Sequence, residues 1–170
     1  MKVILVDEND KEIGTEFKIK THREGKLHRA FSIFVFNSKG QLLLQKRSPK
    51  KYHSGGLWSN TCCSHPRPGE KTLAAAHRRL KEEMGFDCDL KEVSTLRYKV
   101  EFENELTEYE FDHIFTGKFN GEIKINKGEV EEFKWIYPDD LIADIKKNPK
   151  KYTFWFLECC KRMPDLFSGY

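Results

Sequence analysis

Residues 70 to 84 carry apolar side chains at intervals of three and four (Leu73, Ala76, Leu80 and Met84), run through three consecutive alanines, and are followed by Gly85. That period is the repeat of an α-helix, and a glycine just past it supplies the left-handed residue on which helices commonly stop. A helix with one apolar stripe must bury it against another layer, and the rest of the chain reads mainly as strands. From Arg29 the residues RAFSIFVF lead into Asn37-Ser38-Lys39-Gly40 and then QLLLQK, which predicts a strand, a turn and a second strand forming a hairpin near the core. Leu96, Tyr98, Val100 and Phe102 alternate with Arg97, Lys99, Glu101 and Glu103, the period of a half-buried strand, with a turn expected through Asn104. Alternation resumes from Glu108 to Lys118 and sets Glu108, Glu110 and Asp112 on one face and Tyr109, Phe111 and His113 on the other. That first face is unusually acidic for an interior strand. A further strand is expected around Glu132 to Tyr137, a short helix opening at Pro138-Asp139-Asp140, and a last helix between Pro149 and Pro164. Strands with two or three helices define an α+β or mixed α/β fold.

The length, 170 residues, suits one domain, and a domain of that size buries roughly 70% of the surface its unfolded chain exposes. No internal repeat or Gly/Ser linker divides it, so residues 1 to 170 are treated as a single domain. With 34% charged residues, no apolar run approaches the span of a bilayer, which needs roughly 18 residues or more. The start, MKVILVDEND, turns acidic after four apolar residues, without the h-region of about 7–15 residues typical of secretory signals. Neither a membrane association nor export is expected. Cys62, Cys63, Cys88, Cys159 and Cys160 are odd in number and lack the spacing of a disulfide framework, which fits a reducing cytoplasm. The formal charge of +3 comes from scattered Lys and Arg, a poor footprint for nucleic acid but enough for a small anion.

The segment from Ser64 to Phe86, SHPRPGEKTLAAAHRRLKEEMGF, resembles the Nudix box, a Gly-led loop running into a helix that carries Arg-Glu, an apolar residue and a Glu-Glu pair before Gly. Glu70, Arg78, Leu80, Glu82, Glu83, Gly85 and Phe86 fall in register, while Ser64 stands at the first Gly and Arg79 at the first catalytic-helix Glu. The resemblance implies a Nudix-like sandwich, a central mixed β-sheet flanked by helices, whose hydrolytic site is altered. By spacing alone Arg79 and Glu83 form an ordinary surface pair one helical turn apart.

Immediately before the box, WSNTCCSHP resembles the signature of the Nudix-related type 1 isopentenyl-diphosphate isomerases, and the similarity extends from about Lys18 to Trp155. By itself Cys63 would read as a small buried hydrophobe, the usual state of a free cysteine. The resemblance makes it the catalytic thiol, because in that family the thiol stands two residues before His-Pro; Cys62 beside it is a departure. Such a cysteine needs positive charge or metal nearby, so that thiol and thiolate are both accessible near neutral pH. The family's metal ligands fall on His22, His28, His65, Glu108 and Glu110, with the His22 to His28 spacing one residue short. This mixed N/O set suits Zn²⁺, Mn²⁺ or Mg²⁺. Independently of any resemblance, Glu108 and Glu110 stand at i and i+2, so a strand puts both carboxylates on one face, where a shared cation removes their repulsion.

Substrate diphosphate is carried by the same resemblance onto Lys18, Arg47, Lys51 and Arg79, and onto Glu83 through a second ion, Mg²⁺, bridging to the phosphate oxygens. Lys51, beside Lys50, also reads as plain surface charge. Tyr98 falls beside the proton donor and Trp155 over the allylic carbons, where an aromatic face suits a developing cation. The implied activity interconverts isopentenyl and dimethylallyl diphosphate, with Glu110 and Cys63 as opposed proton-transfer groups. The implied partner is a small isoprenoid diphosphate, for a monomer or weak homodimer. Two other classes remain open at this point. A Nudix hydrolase would use Glu82, Glu83 and Mg²⁺ and would not need Cys63; a zinc-stabilised binding module would use Cys62, Cys63, His65 and a distant ligand.

Overall fold

The computed structural model describes residues 1–102 and 105–168, so the turn expected through Asn104 lies outside the described residues. The N-terminal apolar run forms β1 (Lys2–Val6), which pairs antiparallel with β2 (Glu12–Phe17), and a single short helix, α1 (Lys18–Glu24), follows. Period and composition announce none of these three elements. Next come β3 (His28–Phe36), β4 (Leu42–Arg47), the two short strands β5 (Trp58–Ser59) and β6 (Cys62–Ser64), and the box helix α2 (Thr72–Met84). The long strands β7 (Leu90–Glu101) and β8 (Thr107–Lys118), then β9 (Val130–Ile136), α3 (Pro138–Lys147) and α4 (Phe154–Arg162) complete the chain, with short 3₁₀ turns before and after α4. The fold is α+β, a curled mixed sheet with four helices among the described residues.

The expected hairpin forms only at its root. The turn is present, with the Asn37 N–H donating to the Gln41 carbonyl at 3.0 Å, but β3 and β4 pair only where Phe36 faces Leu42. Beyond that point Thr61 wedges between them. The Val35 N–H donates to Thr61 Oγ1 at 2.9 Å, and that hydroxyl donates to the Leu43 carbonyl at 2.7 Å. Backbone groups that a hairpin would have paired are thus satisfied by a side chain. The strands splay, β3 running parallel to β8 and antiparallel to β6, β4 antiparallel to β9 and β5.

Alternation along β3 sends Phe31, Ile33 and Val35 into one apolar layer with Leu43, Leu80 and Met84, beneath α2. Phe34 and Phe36 enter the opposite layer with Leu42, Trp155 and Phe156, beneath α4. Each such fully buried side chain contributes about 1.5–3 kcal/mol. Helix α2 ends where expected but begins two residues later than residue 70, and Leu73 is 44% exposed, the inward stripe being Ala75, Ala76, Leu80, Glu83 and Met84. Gly85 caps it at φ 74, where an added Cβ would collide with the Lys124 carbonyl. β7 begins at Leu90, well before its alternating stretch, and β9 at Val130. The last helix is shorter than the interval between its two prolines, because a 3₁₀ turn at Pro149–Lys151 precedes it. No helix among the described residues is long and apolar enough to cross a membrane.

Candidate active site

The acidic face of β8 lies inside. Glu108, Glu110 and Asp112 are all buried, and β8 runs between β7 and β3, so Glu110 has Tyr98 opposite it on one side and His28 on the other. From the far edge of β3, β6 places Cys63 opposite Ser32. Successive strand residues point to opposite faces. Cys62 therefore enters the layer under α2, while Cys63 and, two residues on, His65 face the other way. Adjacent in sequence, the two thiols do different things.

A narrow cavity, about 40 Å³, opens between these strands. Lys18, Arg47, Cys63, His65, Tyr98, Glu108, Glu110 and Trp155 line it, with His53, Ser32 and Ser64. Tyr98 donates its hydroxyl to Glu110 Oε2 at 2.6 Å. The Trp155 indole N–H donates to Ser59 Oγ at 3.0 Å, and the Arg47 guanidinium lies 5.0 Å from the indole ring centre. Arg47 Nε is buried without a partner among the described residues, a cationic donor left free inside the site. Burial pushes the Cys63 thiol up to about 12 although Arg47 opposes the shift, so near neutral pH the group is a thiol. Burial also drives Asp112 well above the usual carboxylate range, with Glu110 adding to the effect. Burial alone would raise Glu110 as well, but His65 and His28 outweigh it and hold this carboxyl well below its ordinary range.

His22, His28, His65 and Glu110 bring one donor atom each to within 4.8 Å of one another, all four buried. His22 Nε2 lies 3.2 Å from His28 Nε2; Glu110 Oε1 lies 2.9 Å from His65 Nε2 and 3.5 Å from His28 Nε2. Donors held at about 2.0–2.1 Å from a zinc-sized ion stand roughly 3 Å apart, so this spacing fits a cation. The protonation states fit as well. Burial, with the charge of His28 second, lowers His22 to about 2; burial, then Lys18, lowers His65 to about 3. His28 Nδ1 sits 2.9 Å from the Lys26 carbonyl, a contact that turns Nε2 toward the other three donors. Helix α1 accommodates the short spacing to His28 by carrying His22 inward, fully buried.

The other expected residues are distributed differently. Glu108 turns Oε1 to His53 Nε2 at 2.9 Å and groups with His22 and His53 rather than with the four converging donors. Lys51, Arg79 and Glu83 do not line the cavity. Glu83 is 3% exposed; it accepts from Gln45 Nε2 at 3.0 Å and is paired with Arg79, so this is not the surface pair that spacing implies. Lys51 is not plain surface charge either: it pairs with Glu129, whose carboxylate also lies 3.5 Å from Arg79. His53 was not singled out by any motif; its one sequence cue is a place in a Tyr-His-Ser-Gly-Gly loop. Neither metal-capable group among the described residues contains a cysteine, and Cys62 and Cys63 face apart, which removes the basis for the zinc-module reading.

Sheet, box helix and cavity together define a class, and a family model described as the NUDIX domain matches residues 26–156. The solved structure of DR0079 from Deinococcus radiodurans superposes with a TM-score of 0.72 at 20% identity, over 86% of this chain and 90% of that one. The NUDIX domain of Shewanella oneidensis NrtR superposes with a TM-score of 0.62 at 14% identity, over 81% and 86%. These likenesses concern the fold alone. At the level of sequence, the chain is 56% identical to isopentenyl-diphosphate Delta-isomerase 2 of Photorhabdus laumondii, over 91% of this chain and 87% of the relative. It is 47% identical to the isopentenyl-diphosphate Delta-isomerase of Pectobacterium atrosepticum, over 99% and 94%. The chain belongs to the isopentenyl-diphosphate Delta-isomerase family.

Proposed function

We propose that the chain, acting as one domain over residues 1–170, interconverts isopentenyl and dimethylallyl diphosphate. The observation that carries this reading is the placement of Cys63 and Glu110 in one cavity, on strands flanking β3, with Trp155 on its wall. In the direction of dimethylallyl diphosphate, Glu110, hydrogen-bonded by Tyr98, delivers a proton to the terminal alkene carbon. Cys63 removes one from the allylic carbon. Acid and base exchange roles on reversal. The Trp155 face stabilises the tertiary cation by about 2 kcal/mol when desolvated, and the narrow cavity keeps water from adding to it.

The four-donor cluster would hold a divalent ion, Mn²⁺, Mg²⁺ or Zn²⁺, which would supply charge stabilisation at Glu110. Arg47 and Lys18, on the cavity wall, meet the diphosphate. Arg79 and Lys51 would meet its outer oxygens, and Glu83 would hold a Mg²⁺ that offsets their charge. A small diphosphate in the cytoplasm and a monomer or weak homodimer complete the reading. Arg79 at the first Glu position of the box, tied to Glu82 at 2.7 Å, speaks against a hydrolytic site. The test is to supply isopentenyl diphosphate with Mg²⁺ or Mn²⁺ and follow products by NMR: allylic diphosphate with no free phosphate is expected, whereas phosphate release from nucleoside diphosphate derivatives with no isomerisation contradicts the proposal.

A further inference from the structure

Residues 48 to 57, between β4 and β5, fold back on themselves. The Lys51 N–H donates to the Ser48 carbonyl at 3.1 Å, the Gly56 N–H to the Arg47 carbonyl at 3.0 Å, and the Arg47 N–H to the Leu57 carbonyl at 2.9 Å. Gly55 packs so closely that a Cβ there would meet the Pro49 carbonyl oxygen at 2.9 Å, and Ser54 adopts φ 52, a conformation side chains rarely take. Arg47 Nη2 donates to the His53 carbonyl at 3.3 Å. This loop carries one imidazole into the cavity and fixes its plane. The His53 ring stacks on Phe102 with centroids 5.0 Å apart and meets Trp155 edge-on at 5.9 Å.

His53 Nδ1 is 3.3 Å from Ser54 Oγ, and Nε2 is 2.9 Å from Glu108 Oε1, both side chains of the latter pair being 4% exposed. If the Ser54 hydroxyl donates to Nδ1, Nε2 is the N–H end and donates to Glu108. The other oxygen, Glu108 Oε2, lies 3.5 Å from the Tyr98 hydroxyl. His53 and Glu108 also share a donor group with His22, one of the four converging residues. A ligating carboxylate is aimed by the hydrogen bond on its second oxygen. We propose that His53 is a positioning residue of the metal centre: its N–H holds Glu108 Oε1 so that the carboxylate is presented toward the cation held by His22, His28, His65 and Glu110. This rests on the metal centre of the proposed function, while the residue and its role are additional to it.

The experiment titrates purified, metal-stripped full chain with Mn²⁺ against a chelator and records the Mn²⁺ EPR spectrum. It compares wild type, His53→Leu, His53→Gln and His65→Ala, with thermal melts to confirm folding. The Gln amide can place an N–H donor near the position of Nε2. Weakening of roughly 10- to 100-fold in His53→Leu, with an altered spectrum, and recovery of most of the affinity in His53→Gln support the proposal. Affinity and spectrum unchanged in folded His53→Leu, or a loss that Gln does not recover, overturn it. If wild type binds Mn²⁺ and His65→Ala does not, the centre stands and only the role of His53 is at stake; a wild type that binds no Mn²⁺ overturns the centre and the proposal together.

Discussion

Tyr98 and Glu110 face each other across the antiparallel pair β7 and β8, and the phenol donates to the carboxylate at 2.6 Å. Burial, and then the charge of Glu110, hold the phenol proton well above its ordinary pKa, so Tyr98 is a fixed donor and not an alternative base. A hydrogen bond to a charged group is worth about 1.5–3 kcal/mol. Tyr98→Phe is therefore expected to lower kcat by roughly 10- to 100-fold with KM little changed, as read by steady-state kinetics. A change confined to KM would contradict the assignment.

The neighbouring cysteines should behave in opposite ways. Cys63→Ala is expected to cost roughly 10²–10⁴ in turnover, the usual worth of a positioned acid or base, with the thermal midpoint nearly unchanged. Cys62→Ala should leave turnover close to wild type and lower stability instead, because its thiol is fully buried beneath α2 beside Glu83. Parallel melting curves and rate measurements on the two variants separate the effects.

Much of this arrangement can be read in the chain, and the rest is hidden for identifiable reasons. Helix α2 shows because its period and Gly85 mark both register and end, and the acidic face of β8 shows because three carboxylates recur at spacing two. Helix α1 does not show: KIKTHRE is seven mostly polar residues, and it buries Thr21 and His22 rather than an apolar stripe. β5 and β6 have only two and three residues, too few for any period to register. The splaying of β3 from β4 depends on the side chain of Thr61, about twenty residues downstream of the turn, and no local pattern encodes it. His53 depends on how a loop folds back, so spacing to the other histidines carries no signal.

Removing the metal should stop turnover without unfolding the chain. His22, His28 and Glu110 come from elements already tied by backbone pairing or by packing, and His65 directly follows β6, so chelation is expected to leave the far-UV circular dichroism intact. Rebound ion at about 100 times its Kd should raise stability by about 2.7 kcal/mol, visible as a higher melting midpoint. Loss of secondary structure on chelation would instead make the ion a structural element.

Acid stability offers an independent check away from the cavity. Glu70 accepts from Arg78 Nε at 2.7 Å, Arg78 Nη2 at 2.8 Å and the Arg67 N–H at 2.8 Å, and the Arg78 hydrogen bonds hold its carboxyl below the ordinary range. Because the folded pKa is depressed, this stabilisation is fully present above the unfolded carboxylate pKa and is lost as pH falls through the folded one. Glu70→Gln should lower the melting midpoint by roughly 2–4 °C at pH 7, for a loss of about 1 kcal/mol, and by much less at pH 3. A difference between the two proteins that stays constant with pH would exclude the ionised pair as its source.

The most direct measurement incubates the metal-loaded protein with isopentenyl diphosphate and Mg²⁺ in D₂O and follows deuterium by NMR, for wild type and Cys63→Ala. If Cys63 and Glu110 move protons on carbon, wild type yields dimethylallyl diphosphate carrying solvent deuterium and Cys63→Ala yields almost none. Allylic product formed without solvent deuterium, or formed equally well by folded Cys63→Ala, would contradict the account.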